Sequence, residues 1–280
     1  MLIEDFQNII KKGQQDNLRE GYIVNLIKEH LQNIILEYIY NTKSYNENLV
    51  FMGGTCLRFC FMLPRLSEDL DFDTEENFDP EALAKELKNY FNRTLLYPDM
   101  SFSVKGKEKK LYLKFPILQS LKLDFYKSNN LFIKIEVTKN DMQACKIESS
   151  MIEKNSKTYF LRRYSLPDLM AGKTHAFLTR VFYKGKNNEI DFKGRDIFDL
   201  VWYMGKNIVP SAAKLEQGFK DTKYAGLSWK EILSVILAKA KTIKKDYIER
   251  DLVNFIEDPA ALKNFFNNYI QIIEQYIASF

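Results

Sequence analysis

Asp69, Asp71 and Asp73 stand two residues apart in the run "DLDFD". In a strand, that spacing puts three carboxylates on one face and Leu70 and Phe72 on the other, giving an anionic face opposite an apolar one. Carboxylates crowded this way repel one another, and either raised pKa values or a cation relieves the repulsion. Oxygen-only ligands suit Mg²⁺ (or Mn²⁺), which keeps several waters and shares its remaining coordination with substrate phosphates. A solvated acidic edge strand would carry the same pattern. Upstream, "NLVFMGGTCLRFCFML" reads as a short buried strand, a glycine corner at Gly53 and Gly54, and a buried helix opened by Thr55 and closed before Pro64. Glycines let backbone approach a phosphate closely, and the free N–H groups of a helix start favour anions. A glycine pair can equally mark a plain tight turn, but joined to the DxD strand it makes a phosphate-plus-metal arrangement.

Further along, Lys173 and Arg180 are two helical turns apart and fall on roughly one helix face. Asp196 and Asp199, three apart beside Arg195, also share a helix face. A solvated basic face and a buttressing acid would account for these pairs without chemistry. His175 has no neighbour that suggests a proton relay and reads as structural.

The elements that must position these groups divide the chain. Residues 18–41 repeat apolar positions at three and four and predict an amphipathic helix. Residues 79–93 open with Asp79 and Pro80, an N-cap and a first-turn proline, and predict another. "SFSVKGKEKKLYLKFPIL", broken at Gly106, then "LKLDFYK" and "LFIKIEVTK" alternate at period two and predict strands. In the last of these Ile133, Ile135 and Val137 face a core and Glu136 faces away; Asp124 has the same alternation in its own segment. Helices are expected near 167–183, 195–207, 211–219, 228–246 and 259–278, with 184–194 an exposed loop. The expected domains are 1–164, mixed, and 165–280, helical.

Composition sets bounds. With 280 residues, 46% hydrophobic and 28% charged, the chain can bury one large core or two modest ones. No apolar run approaches the roughly 18 residues that span a bilayer. The start "MLIEDFQNIIKK" lacks a signal pattern, so a cytoplasmic chain with no membrane partner is expected. Cys56, Cys60 and Cys145 form no CxxC pair and suggest neither a disulfide frame nor a zinc site. A net charge of +4 permits a polyanionic partner without requiring one. Lys105, Lys107, Lys109, Lys110, Lys184, Lys186 and Lys193, with the lysines of 230–245, could contact the phosphates of such a polyanion or simply form a solvated surface.

The stretch "GGTCLRFCFMLPRLSEDLDF" resembles the first motif of the AbiEii/AbiGii-type nucleotidyltransferase toxin family, of the polymerase-β-like superfamily. The residues that carry the likeness are Gly53, Gly54, Thr55, Leu57 and Arg58, then Arg65, Ser67, Glu68, Asp69, Asp71 and Phe72. "LYLKFP" at 111–116, "IKIEV" at 133–137, "KTHAFLTR" at 173–180 and "GRDIFDL" at 194–200 are similar to its later motifs, so the likeness runs from about residue 50 to 204.

The resemblance implies an α+β fold: a polymerase-β-like nucleotidyltransferase domain, a mixed sheet flanked by helices, followed by a C-terminal helical bundle. It implies a Mg-dependent transfer of NMP from an NTP to an acceptor hydroxyl, foremost the 3′ end of tRNA, and a cognate antitoxin. Asp69 and Asp71 would hold metal, with Glu136 as third acid and Asp124 as its rival, or with no third acid at all. Gly53, Gly54, Thr55, Arg65 and Ser67 would position phosphates. Lys173, with Arg180, would compensate triphosphate charge, and Asp196 would orient Lys173 or a nucleotide group. A protein or small-molecule acceptor, or a non-catalytic nucleotide-binding module, would suit the same motif.

Overall fold

Leu70, Phe72, Leu111, Leu113, Phe115, Ile133 and Ile135 are all buried, and their alternation along the chain builds the middle of a seven-stranded sheet. In a computed structural model, residues 2–123, 128–180 and 192–280 are described. The chain forms two compact units, Met1–Met142 with Ile147–Arg163, and Gln143–Lys146 with Tyr164–Phe280. The first contains α1 (Leu2–Gln15), α2 (Glu20–Asn41), α3 (Lys43–Asn48), β1 (Val50–Met52), α4 (Gly53–Phe61), β2 (Asp69–Thr74) and α5 (Pro80–Arg93). After these come β3 (Ser101–Lys105), β4 (Lys110–Pro116), β5 (Asn130–Lys139), β6 (Ile147–Lys154) and β7 (Lys157–Tyr164). The second unit is built on α6 (Leu166–Thr179), α7 (Gly194–Gly205), α8 (Ala212–Phe219), α9 (Trp229–Thr242), α10 (Lys245–Leu252) and α11 (Pro259–Ala278).

The strand order is β3-β4-β5-β2-β1-β7-β6. β2 pairs antiparallel with β1 and parallel with β5, while β3, β4 and β5 run antiparallel in turn. This is the expected mixed sheet flanked by helices, with helices following it in the chain. Phe72 packs against Phe51 and Tyr40, and Phe115 against Phe91 of α5. These contacts put α2 and α5 on the Leu70/Phe72 face and leave the other side of β2 to the aspartates.

Several expectations change. Alternation predicts a strand over 121–127, but Leu121 and Lys122 form a turn in which Lys122 has φ 55°; Asp124 and 125–127 lie outside the described residues. The helix after the glycine corner begins at Gly53, not Thr55. The helix expected over 228–246 is two, α9 and α10, broken at Ile243 and Lys244. α6 ends at Thr179; residues 181–191, which include Lys184 and Lys186, are not described. The β6 and β7 strands, joined through Asn155 and Ser156 at positive φ, were not anticipated. Their alternation and the two-residue connection suited to a hairpin were the available signals.

The amphipathic expectation for 18–41 misses half of α2. Its apolar stripe is buried, but so are Lys28, Glu29, Gln32 and Asn33 on the polar side. Lys28 pairs with Glu68 at 3.0 Å and Gln32 Nε2 donates to the Ser67 carbonyl at 3.1 Å, fastening the segment that leads into β2. Asn33 Oδ1 accepts from Tyr159 Oη at 2.9 Å. The Glu29 carboxylate receives Arg58 Nε of α4 at 2.6 Å and Lys154 Nζ of β6 at 2.7 Å. Three elements thus meet at one buried charge, whose desolvation is offset only while both partners stay.

Burial alone would push the Glu29 carboxyl up, but Lys154 and Arg58 outweigh it and hold it below its ordinary value of 4.5. A depressed carboxyl contributes stability that is present above the unfolded-state pKa and lost as pH falls through the folded one. Glu29→Gln is therefore expected to cost about 3 kcal/mol in urea unfolding at neutral pH. The gap to wild type should narrow in acid, and a gap that stays constant with pH would show that Glu29 is not held as an anion.

Candidate active site

The short strand β1 ends at Met52, which lies opposite Asp71 in the antiparallel pairing with β2. The chain then turns at Gly53 with φ +79°, a conformation that disfavours any side chain. A Cβ there would stand 2.4 Å from Asp71 Oδ2, so the carboxylate occupies the space glycine leaves. At Gly54 a Cβ would meet Arg65 Nη2 at 2.7 Å and Ser67 Oγ at 3.0 Å. The corner is thus walled by an acid on one side and by a guanidinium and a hydroxyl on the other, and the first turn of α4 begins there. Thr55 is fully buried and its hydroxyl donates to the Asp69 carbonyl, tying α4 to β2. Arg65, also buried, donates from Nη1 to the Leu66 carbonyl at 2.8 Å.

Asp69, Asp71 and Glu136 lie on the same face of the sheet, because Asp71 pairs in register with Glu136 on parallel β5. Asp69 and Asp71 are half-buried, whereas Asp73 is buried and accepts from Asn140 Nδ2 at 3.1 Å. The third aspartate of the run therefore serves the fold. The face is also not purely anionic. Lys134, in register with Asp69, reaches Asp69 Oδ2 at 2.9 Å and Glu136 Oε2 at 3.2 Å. Lys110 takes the other Glu136 oxygen at 3.2 Å and Glu108 at 2.6 Å. Burial would lower the Lys134 pKa, but Asp69, Asp71 and Glu136 together raise it above the ordinary lysine value. Among the described residues no three His, Cys, Asp or Glu side chains gather closely enough to hold a metal by themselves. The hard oxygens of Asp69 and Asp71, two apart beside the glycine corner, still suit a cation that takes its other ligands from water and substrate.

In the second unit, Lys173 of α6 lies between two buried carboxylates of α7, Asp199 at 2.7 Å and Asp196 at 3.2 Å. Asp199, taken from the sequence as a helix buttress, is the nearer partner. Arg180, just past the end of α6, reaches the other Asp196 oxygen at 2.9 Å. Asp196 therefore gathers both cations that the sequence put on one helix face. His175 packs against Phe219 with ring centroids 5.5 Å apart and the rings tilted by 48°; burial, then Lys214 and Arg180, lower its pKa. Sequence reasoning passed over Lys134, Lys28 and Gln32. For Lys134 the signal was present, since it stands two before Glu136 in "IKIEV" and shares its face. For Lys28 and Gln32 helical periodicity carries no such signal.

The profile of a family described as nucleotidyl transferase AbiEii toxin, type IV toxin–antitoxin system, matches residues 34–269. No curated protein matches the chain in sequence. Among solved structures, the chain is similar to MenT4, a nucleotidyltransferase toxin from Mycobacterium tuberculosis H37Rv. The TM-score is 0.53 and the identity 14%, over 96% of this chain and 93% of that one. JHP933 from Helicobacter pylori is similar at TM-score 0.47 and 17% identity, over 91% of this chain and 94% of that one. At such identity the likeness to MenT4 is one of fold. Among the described residues no helix is long and apolar enough to cross a membrane.

Gly106 has nearly the same φ as Gly53, +77°, with nothing within 4 Å of an added Cβ. Gly106→Ala thus carries the backbone strain alone, and Gly53→Ala carries it plus the collision with Asp71. The second is expected to lose about 1 kcal/mol more in denaturant unfolding; equal losses would show that Asp71 turns aside freely.

Proposed function

The chain belongs to the AbiEii nucleotidyl transferase toxin family of type IV toxin–antitoxin systems and is a toxin nucleotidyltransferase; from there we propose that it moves NMP from an NTP to the 3′ end of tRNA. Membership implies an NTP substrate and an antitoxin partner. The observation that carries the proposal is the Asp71 carboxylate lying in the space of the missing Gly53 Cβ, with Asp69 beside it on the strand. An acid pair and a helix start converge there, as a metal-chelated triphosphate would need.

Asp69 and Asp71, with Glu136, would hold a divalent ion. Such an ion, Mg²⁺ in this proposal, would lower the pKa of the acceptor hydroxyl and neutralise charge on the departing pyrophosphate. The missing side chains at Gly53 and Gly54 make room for Asp71 and for Arg65 and Ser67 around the corner, and the N–H groups of the first α4 turn, with Ser67, donate to the triphosphate oxygens. Arg65, buried behind Gly54, adds positive potential and keeps the corner in shape. Thr55 holds α4 against β2 through its hydroxyl. In the second unit, Lys173 is the residue that the family likeness marks as its charge-compensating lysine. Asp196 holds the Lys173 ammonium in a defined place and Arg180 beside it.

The reaction is read directly by incubating the protein with α-³²P-labelled NTPs, Mg²⁺ and total cellular RNA. Label should enter the tRNA band, and Asp71→Asn should lower the rate by on the order of a hundredfold or more while the fold survives. Unchanged incorporation by Asp71→Asn would remove Asp71 from the reaction. Label on protein or on small molecules instead would change the acceptor but keep the transfer. If RNA is the acceptor, binding should weaken steeply from low to physiological salt, and a flat dependence would speak against RNA.

A further inference from the structure

The acidic face already contains a cation of its own. Lys134 is set by strand register beside Asp69, one row from Glu136, and its ammonium reaches both, at 2.9 and 3.2 Å. Opposite charges directly across neighbouring strands attract, and here they relieve the repulsion that Asp69, Asp71 and Glu136 would otherwise suffer. A lysine ammonium is a compact charge on a flexible four-carbon stem, so it can leave a carboxylate without dismantling the strand. The pair is half-buried, not sealed: about a third of the Asp69 side chain and a fifth of that of Lys134 are exposed. Among the described residues Lys110 pairs with Glu136 and Glu108, so it compensates the outer acid and leaves Asp69 to Lys134.

We propose that Lys134 is a tethered counter-ion that offsets part of the negative charge of the acidic face and competes with a divalent ion for Asp69 and Glu136. This rests on Asp69 and Asp71 being the metal-holding acids. Lys134 stabilises the face without metal, and its charge opposes a divalent ion drawn to the same carboxylates. The competition keeps affinity for the bare ion low.

The test measures Mn²⁺ alone, without nucleotide, binding to the full chain, by the electron paramagnetic resonance signal of the free ion. Lys134→Met should bind Mn²⁺ about three- to tenfold more tightly than wild type. Lys134→Arg, which keeps the charge, should bind no more tightly than wild type. Asp71→Asn should bind more weakly. Lys134→Gln, which retains a hydrogen-bond donor to Asp69, is the second variant should the methionine protein fold poorly. Thermal unfolding adds an independent readout, because a ligand stabilises according to its affinity for the folded state. The rise in Tm on adding Mn²⁺ should be larger for the uncharged variants than for wild type. If wild type and the uncharged variants bind Mn²⁺ equally, or the variants bind more weakly, the counter-ion role is wrong while the metal site stands. If none of them binds Mn²⁺, the metal-holding assignment fails and the counter-ion role goes with it.

Discussion

The candidate site depends on the absence of one carbon atom. Met52 and Asp71 are paired across β1 and β2, and the chain must leave that pairing at once to begin α4. Only a residue without Cβ can turn there at φ +79° and still leave 2.4 Å between its Cβ position and Asp71 Oδ2. Everything nearby is arranged around that approach. The Thr55 hydroxyl fastens the new helix to the Asp69 carbonyl. Arg65 and Ser67 close over Gly54 from the other side. A register slip of one residue would turn Asp71 into the core and Phe72 toward the corner, so the apolar packing of Phe72 on Phe51 and Tyr40 protects the site as well as the sheet.

The corner is kept in place by a helix that buries part of its polar side. Lys28, Glu29, Gln32 and Asn33 of α2 are buried, and their partners come from α4, the segment before β2, β6 and β7. Burying such groups is costly unless they are paired, and each pairing here joins elements far apart in the chain. The arrangement is therefore directional in a way that apolar packing is not. Ser67 and Glu68 are held by main-chain and side-chain bonds to α2, which sets where β2 begins and so where Asp69 and Asp71 stand.

Both units place a lysine between two carboxylates, with different consequences. Lys173 lies between Asp196 and Asp199, and both acids are buried. Removing that lysine would leave two desolvated charges, so the triad is part of the α6–α7 packing whatever else it does. Lys134 lies between Asp69 and Glu136, both half-buried, where water can take over from the ammonium at small cost. The same local chemistry is a structural clamp in one place and an exchangeable charge in the other, and burial makes the difference.

Local patterns in the sequence determined much of this protein. Alternation at 69–73, 111–116 and 131–137 predicted the central strands, and the Asp79–Pro80 cap predicted α5, because these signals act within a few residues. The glycine corner and the DxD run could be read as one arrangement, since each has its own chemical logic. The motif likeness supplied Lys173 and Asp196, which periodicity alone would leave as surface charges. The tertiary structure decided what depends on partners distant in sequence. It buried Asp73 and bound it to Asn140. It turned 121–122 where alternation suggested a strand, because period-two alternation also occurs in segments that no neighbouring strand accepts. It sank the polar side of α2, which helical periodicity assigns to water, because ion pairs from other elements met it there. And it set Lys134 on the acidic face, since the pairing of β5 with β2 is fixed by packing across the whole sheet and not by either strand alone.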